Sequence, residues 1–134
     1  MSARRKARKR ALDFLYEGDL RNASPLELYA SREKEELSQE SYVENLLQGV
    51  TTHREKLDEL IMTYAQGWDM DRMPAIDRNL LRLAMYEILW EPELDEKIAI
   101  NEAVELASEL STDESSGYIN GVLGRIAAIK SSLI

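Results

Sequence analysis

The segment from Ala75 to Trp90 constrains the fold most. Its apolar residues Ile76, Leu80, Leu81, Leu83, Ala84, Met85, Ile88 and Leu89 fall around nearly the whole circumference of a helix. A helix apolar on every side must be enclosed by other elements, and at 16 residues it is shorter than the roughly 18 a membrane span requires. The remainder of the chain must therefore supply its cover. Period-2 alternation is nearly absent, while helical spacing recurs, so that cover is read as more helices.

The first of these runs from about Ala3 to Leu20, with Ala7, Ala11, Phe14, Leu15 and Gly18 on one stripe. Ser24 followed by Pro25 reads as a cap with proline at the first helical position, opening a short helix to about Ala30. Tyr42, Val43, Leu46, Leu47 and Val50 predict a helix over about Gln39 to Thr52. Thr52 is placed to cap the next, about His53 to Gln66, which Gly67 ends. Beyond Pro92, Asp95 reads as the cap of a helix from Glu96 to Leu110, whose Glu102, Glu105 and Glu109 are expected to form a solvated face. The last helix covers about Ser115 to Lys130. Its Gly121, Gly124 and Ala128 form a small-residue face that suits close approach of a neighbouring backbone. The reading is all-α, about seven helices in one domain over residues 1–134.

Composition mainly excludes. There is no cysteine and one histidine, His53, so thiolate metal sites, Cys nucleophiles, His-based zinc sites and Ser/His/Asp triads lose their basis. No phosphate-cradling glycine loop or nucleophile elbow is present, and neither an enzyme nor a cofactor or metal is expected. Without a membrane span or an apolar signal region, a cytoplasmic location is the expectation. Glu87 projects from the apolar circumference of the central helix. A carboxylate buried there must be paired, with an arginine or with helix-end amides.

Charge carries the functional clue. The first ten residues hold Arg4, Arg5, Lys6, Arg8, Lys9 and Arg10 and no acid, a local charge of +6, whereas the other 124 residues hold 11 basic and 25 acidic ones, or −14. An acidic body discourages indiscriminate polyanion binding, while the local cluster attracts phosphate. A solubilising end, a localisation signal, a presequence and a nucleic-acid site all fit such a cluster. The presequence reading is weakened because Phe14 and Leu15 continue the same helix with core spacing. Arg5, Lys9, Leu12 and Tyr16 share a face, placing cations near an aromatic, a mixture suited to single-stranded RNA.

Several motifs together go further. Ala3-Arg4-Arg5-Lys6-Ala7-Arg8 with the Leu15-Tyr16 pair, Leu83-Ala84-Met85-Tyr86-Glu87, Ile98 to Ala107, and Tyr118-Ile119-Asn120-Gly121-Val122-Leu123 resemble the NusB family of bacterial transcription antitermination factors, in order and over nearly the entire chain. The resemblance implies two three-helix bundles with an additional short helix and no enzymatic activity. It also implies binding of boxA-type single-stranded ribosomal RNA leader together with NusE, a small-subunit ribosomal protein, within an antitermination complex on RNA polymerase. Carried over by position, it points to Arg4, Arg5, Lys6, Arg8, Arg10, Glu114, Ser115 and Tyr118 for RNA and to Tyr16 and Asp77 for NusE. Gly117 departs from the family, which often has a basic residue there, and Ser111 stands where a glycine is usual.

On this reading, reversal of Arg5 and Arg8 to Glu weakens RNA binding with helicity unchanged. Asp77→Lys lowers NusE association more than RNA binding. RNA affinity falls with salt by a log–log slope of about −0.7 per phosphate contact. The alternatives are an RNA-binding domain like the N-terminal domain of ribosomal RNA cytosine methyltransferases, or a purely protein-binding helical adaptor. A homodimer that covers the RNA surface is also compatible with the family.

Overall fold

A computed structural model describes residues 3–32 and 40–133. Among them lie seven α-helices: α1 (Ala3–Arg21), α2 (Pro25–Ala30), α3 (Glu40–Thr52), α4 (Arg54–Tyr64), α5 (Ala75–Trp90), α6 (Glu96–Leu110) and α7 (Ser115–Ile129). No strand occurs among the described residues. Helices α1, α2 and α3 pack on one another, as do α5, α6 and α7, and α4 lies against α3, α5 and α7. The expected pair of three-helix groups is observed; the additional helix is α4, of 11 residues, while the shortest, α2 with six, belongs to the first group. None of the helices is long and apolar enough to cross a membrane.

Helix α5 is the axis, in contact with α1, α3, α4, α6 and α7. Every residue from Asn79 to Leu89 is buried, as the all-round apolar pattern requires. Its approach to α3 is close: a Cβ on Gly49 would come 2.1 Å from Tyr86 Cζ, so only glycine fits there.

The caps explain most boundaries. Ser24 Oγ accepts from the Glu27 amide at 3.3 Å, and Asp95 Oδ1 from the Lys97 amide at 2.9 Å. Thr52, by contrast, does not cap α4; it is the last residue of α3, and His53 at the cap position stacks its ring on Trp90 at 3.8 Å instead. Helix α4 also ends before the expected Gln66. The Ala65 amide still returns to the Ile61 carbonyl at 2.9 Å, after which the chain turns through Gly67 at φ +80°. Helix α7 stops at Ile129 and tightens into a 3₁₀ turn, Lys130–Ser132. The small-residue face is corrected outright: Gly121, Gly124 and Ala128 are exposed, and a Cβ on either glycine meets nothing within 4 Å. Among the described residues, no backbone approaches either glycine there. The expected start of α3 at Gln39 lies outside the described residues.

Asp19 ties the two helix groups together. Its carboxylate accepts from Arg82 Nη1 at 2.9 Å, Arg78 Nε at 3.0 Å, Asn79 Nδ2 at 3.0 Å and Arg54 Nη2 at 3.2 Å, while Arg82 Nε also donates to Asp58 at 2.7 Å. Burial alone raises the Asp19 pKa, but the Arg82 charge and the donated hydrogen bonds outweigh it and hold it below the ordinary carboxylate value. A depressed folded-state pKa contributes stability that is complete above the unfolded value, about 3.9, and disappears as pH falls through the folded one. Asp19→Asn should therefore cost about 1–2 kcal/mol at neutral pH, with the deficit shrinking in acid. Urea midpoints at pH 7 and pH 3 measure both; a deficit independent of pH would contradict this role.

Candidate nucleic-acid interface

Helix α1 carries its cations in three directions. Arg8 points inward: its side chain is 3% exposed and that of Glu87 1%. The Arg8 Nε lies 3.0 Å from each Glu87 oxygen, and Nη2 reaches the same carboxylate at 2.9 Å. Tyr42 completes the arrangement by donating its hydroxyl to Glu87 Oε2. Desolvation works against the Arg8 charge, yet the Glu87 hydrogen bonds and charge prevail and its pKa rises. Burial, reinforced by the Glu87 charge and hydrogen bond, pushes the Tyr42 phenol up, so it remains a donor. Glu87 is thus paired with an arginine, one of the two partners expected from sequence. Arg8 is corrected: it is an internal counterion with no surface to offer a ligand.

Arg5 and Lys9 turn toward α6. Arg5 donates to Glu102 and pairs with Glu105, Lys9 Nζ lies 3.0 Å from Glu109, and Arg8 Nη1 is 3.5 Å from Glu102. The hydrogen bond to Glu102, against a smaller desolvation effect, raises the Arg5 pKa. Of the α6 glutamates, Glu105 and Glu109 are solvent-exposed as expected while Glu102 is largely buried, and all three also serve as counter-charges of α1. Leu12 is wholly buried, so the face expected to run from Arg5 to Tyr16 is interrupted by core packing.

The remaining cations face outward or sideways. Arg4 and Lys6 are exposed, with the Arg4 guanidinium 3.9 Å above the Tyr42 ring. Arg10 pairs with Glu40 at 3.1 Å and lies over Phe14. Tyr16 is half-buried on α1.

A second cluster forms where α7 begins. Tyr118 packs edge-on against Trp68 with ring centroids 4.4 Å apart, and its hydroxyl donates to the Gln66 carbonyl at 2.8 Å. Burial raises its pKa. With Gly67, Thr112, Glu114 and Ser115, the two aromatics line a cavity of about 280 Å³. Glu114 is exposed at its edge, whereas Ser115 is wholly buried. The Ser115 hydroxyl donates to Asp77 Oδ2 at 2.6 Å and lies 2.7 Å from the Thr112 hydroxyl. Asp77 is itself fully buried in the first turn of α5. The expectation of an acidic group presented at the surface is corrected: Asp77 holds the start of α7 in place. Ser111 has an extended backbone at φ −126°, a conformation open to serine, and its hydroxyl joins the same group. Gly117 is exposed with open space around it.

The two clusters are joined through α6. Lys9 reaches Glu109 in the last turn of that helix, and the chain then passes through residues 111–114 directly into α7. Sequence reasoning missed the Trp68–Tyr118 pairing and the Asp19–Arg82 network. A signal existed for the latter, because Arg82, like Glu87, is a charged residue within an otherwise apolar circumference.

Comparison with known proteins bears on what this surface does. The family model described as NusB family matches residues 5–128. The transcription antitermination protein NusB of Salinispora arenicola is 54% identical over 131 residues, spanning 95% of this chain and 96% of that protein. Among solved structures, T. maritima NusB superposes with a TM-score of 0.87 at 27% identity, covering 96% of this chain and 92% of that one. A crystal structure of antitermination factors NusB and NusE in complex with dsRNA matches with a TM-score of 0.80 at 25% identity, covering 96% of this chain and 98% of the other.

Proposed function

The chain belongs to the NusB family, and we propose on that footing that it is a non-enzymatic transcription antitermination factor, binding boxA-type single-stranded ribosomal RNA leader together with NusE. The observation that carries this reading is the connected edge from the cations of α1, across the Lys9–Glu109 pair, to the aromatic cavity at the start of α7. A single strand uses backbone charge together with stacking on a ring. The α1 cations supply the first, and the half-buried Tyr118 and Trp68 rings lining the cavity supply the second.

Roles follow from placement. Arg4 and Lys6 are exposed and meet phosphates directly, while Arg5 and Arg10 lie at the rim and keep partial access. Tyr118 presents a ring to a base, Glu114 borders the strand, and Ser115 acts from beneath by fixing the first turn of α7. Tyr16, half-buried on α1, is assigned to the NusE surface. Asp77 supports both surfaces through Ser115 without touching either ligand. The pair of proteins then joins the antitermination complex on RNA polymerase.

Replacing Arg4 and Lys6 together by alanine tests the assignment. Loss of two exposed phosphate contacts should weaken boxA RNA binding about three- to tenfold near physiological salt and flatten the log–log salt slope by about 0.7 per cation. Helicity should not change. A folded variant with wild-type affinity and slope would remove this face of α1 from the interface.

A further inference from the structure

Part of the +6 of the first helix is met by counter-charges within the fold, at Arg5, which is assigned to RNA, and at its neighbour Lys9. Glu102, Glu105 and Glu109 sit at i, i+3 and i+7 on α6, one helical face, and that face meets Arg5 and Lys9 at i and i+4 on α1. The ladder has two layers. The inner one, Glu102, holds both Arg5 and Arg8 and lies inside the protein, with the Glu102 and Arg8 side chains 14% and 3% exposed. The outer one is open to solvent: Glu105 is 58% exposed, Glu109 45%, Lys9 36% and Arg5 28%. Exposed pairs of this kind contribute little to folding, between nothing and about 1 kcal/mol each. Two acids with so small a structural contribution nevertheless stand directly on cations that would attract a phosphate.

We propose that Glu105 and Glu109 lower the affinity for RNA of any sequence by acting as resident competitors of phosphate on Arg5 and Lys9. This rests on the RNA-binding function inferred above and assigns to it two residues of opposite charge to the ligand. An incoming strand must displace both carboxylates, which takes up to about 1 kcal/mol from the charge attraction at each of these cations.

The experiment is a titration of the full chain carrying Glu105→Gln and Glu109→Gln, against boxA RNA and against oligouridine. Glu102 is left in place so that the Arg8 layer is undisturbed. Both RNAs should bind about three- to tenfold more tightly, because the relieved competition acts on phosphates common to both. A charge-matched control, Glu55→Gln with Glu93→Gln at exposed sites on α4 and in the α5–α6 turn, should change affinity less than about twofold, remote exposed charges being screened. An equal gain in the control pair, or no gain in the α6 pair while the wild type binds, overturns the proposal and leaves the RNA-binding function standing. If the wild type binds neither RNA, both are overturned.

Discussion

An Arg8→Glu variant should lose about 3–5 kcal/mol of folding stability, the cost of breaking a buried ion pair and leaving a charge uncompensated. The substituted carboxylate would face Glu87, whose side chain is 1% exposed, with Tyr42 already donating to one of its oxygens. Two carboxylates at that depth cannot both stay ionised without a counter-charge. Since small domains have only about 5–15 kcal/mol in hand, the variant should show a markedly lower urea midpoint and reduced helicity at 37 °C. Arg8→Met combined with Glu87→Met should recover most of the loss, because an apolar pair of similar volume often equals a buried ion pair in stability. Wild-type melting of Arg8→Glu would contradict the buried pair. Reversal of Arg5 and Arg8 together therefore cannot leave helicity unchanged, and weakened RNA binding in that double variant would report unfolding.

The second large effect is at Asp77. Its carboxylate is fully buried and accepts the Ser115 hydroxyl at 2.6 Å in the first turn of α5, where a helix N-terminus also favours a negative group. Lysine there would bury an ammonium among hydroxyls against that same positive end. Asp77→Lys should cost at least about 3 kcal/mol, whereas Asp77→Asn, which keeps an acceptor for Ser115, should cost about 1 kcal/mol. Denaturant unfolding of the two variants separates these outcomes. Because Ser115 begins the helix that carries Tyr118, RNA and NusE binding should both fall in Asp77→Lys. A stable variant impaired only toward NusE would instead restore Asp77 to the surface.

These two residues mark where sequence stops being informative. Helix bounds were legible wherever a side chain made the cap, as at Ser24 and Asp95, or where apolar periodicity was unambiguous, as in α5 and α6. They failed at Thr52 and Gln66, where ring stacking and a turn through Gly67 decided the matter. The candidate site was legible as a set of residue types but not as a surface. A helical repeat gives the side of α1 on which Arg8 lies, yet the same cation can face solvent or a buried Glu87, depending on which helix docks there. For that reason six basic residues in ten could be counted on sight, while the division into inward, paired and outward cations required the packing of α6 and α5 against α1. Glu87 was the exception: a charge within an apolar circumference implies a partner, and the partner was an arginine.

The internal pairing of α1 also has a consequence for synthesis. Arg8 and Glu87 are separated by 79 residues, and Lys9 and Glu109 by 100. The basic helix is made first, and the partners of Arg8 and Lys9 come much later. At about 5–20 residues per second, roughly 4–16 seconds pass before Glu87 follows Arg8 out of the ribosome, and longer before α6 is complete. Throughout that interval Arg8 and Lys9 lack the carboxylates they hold in the folded chain. Completion of α5 and α6 supplies those partners, whereas Arg4 and Lys6 remain exposed from the first helix onward.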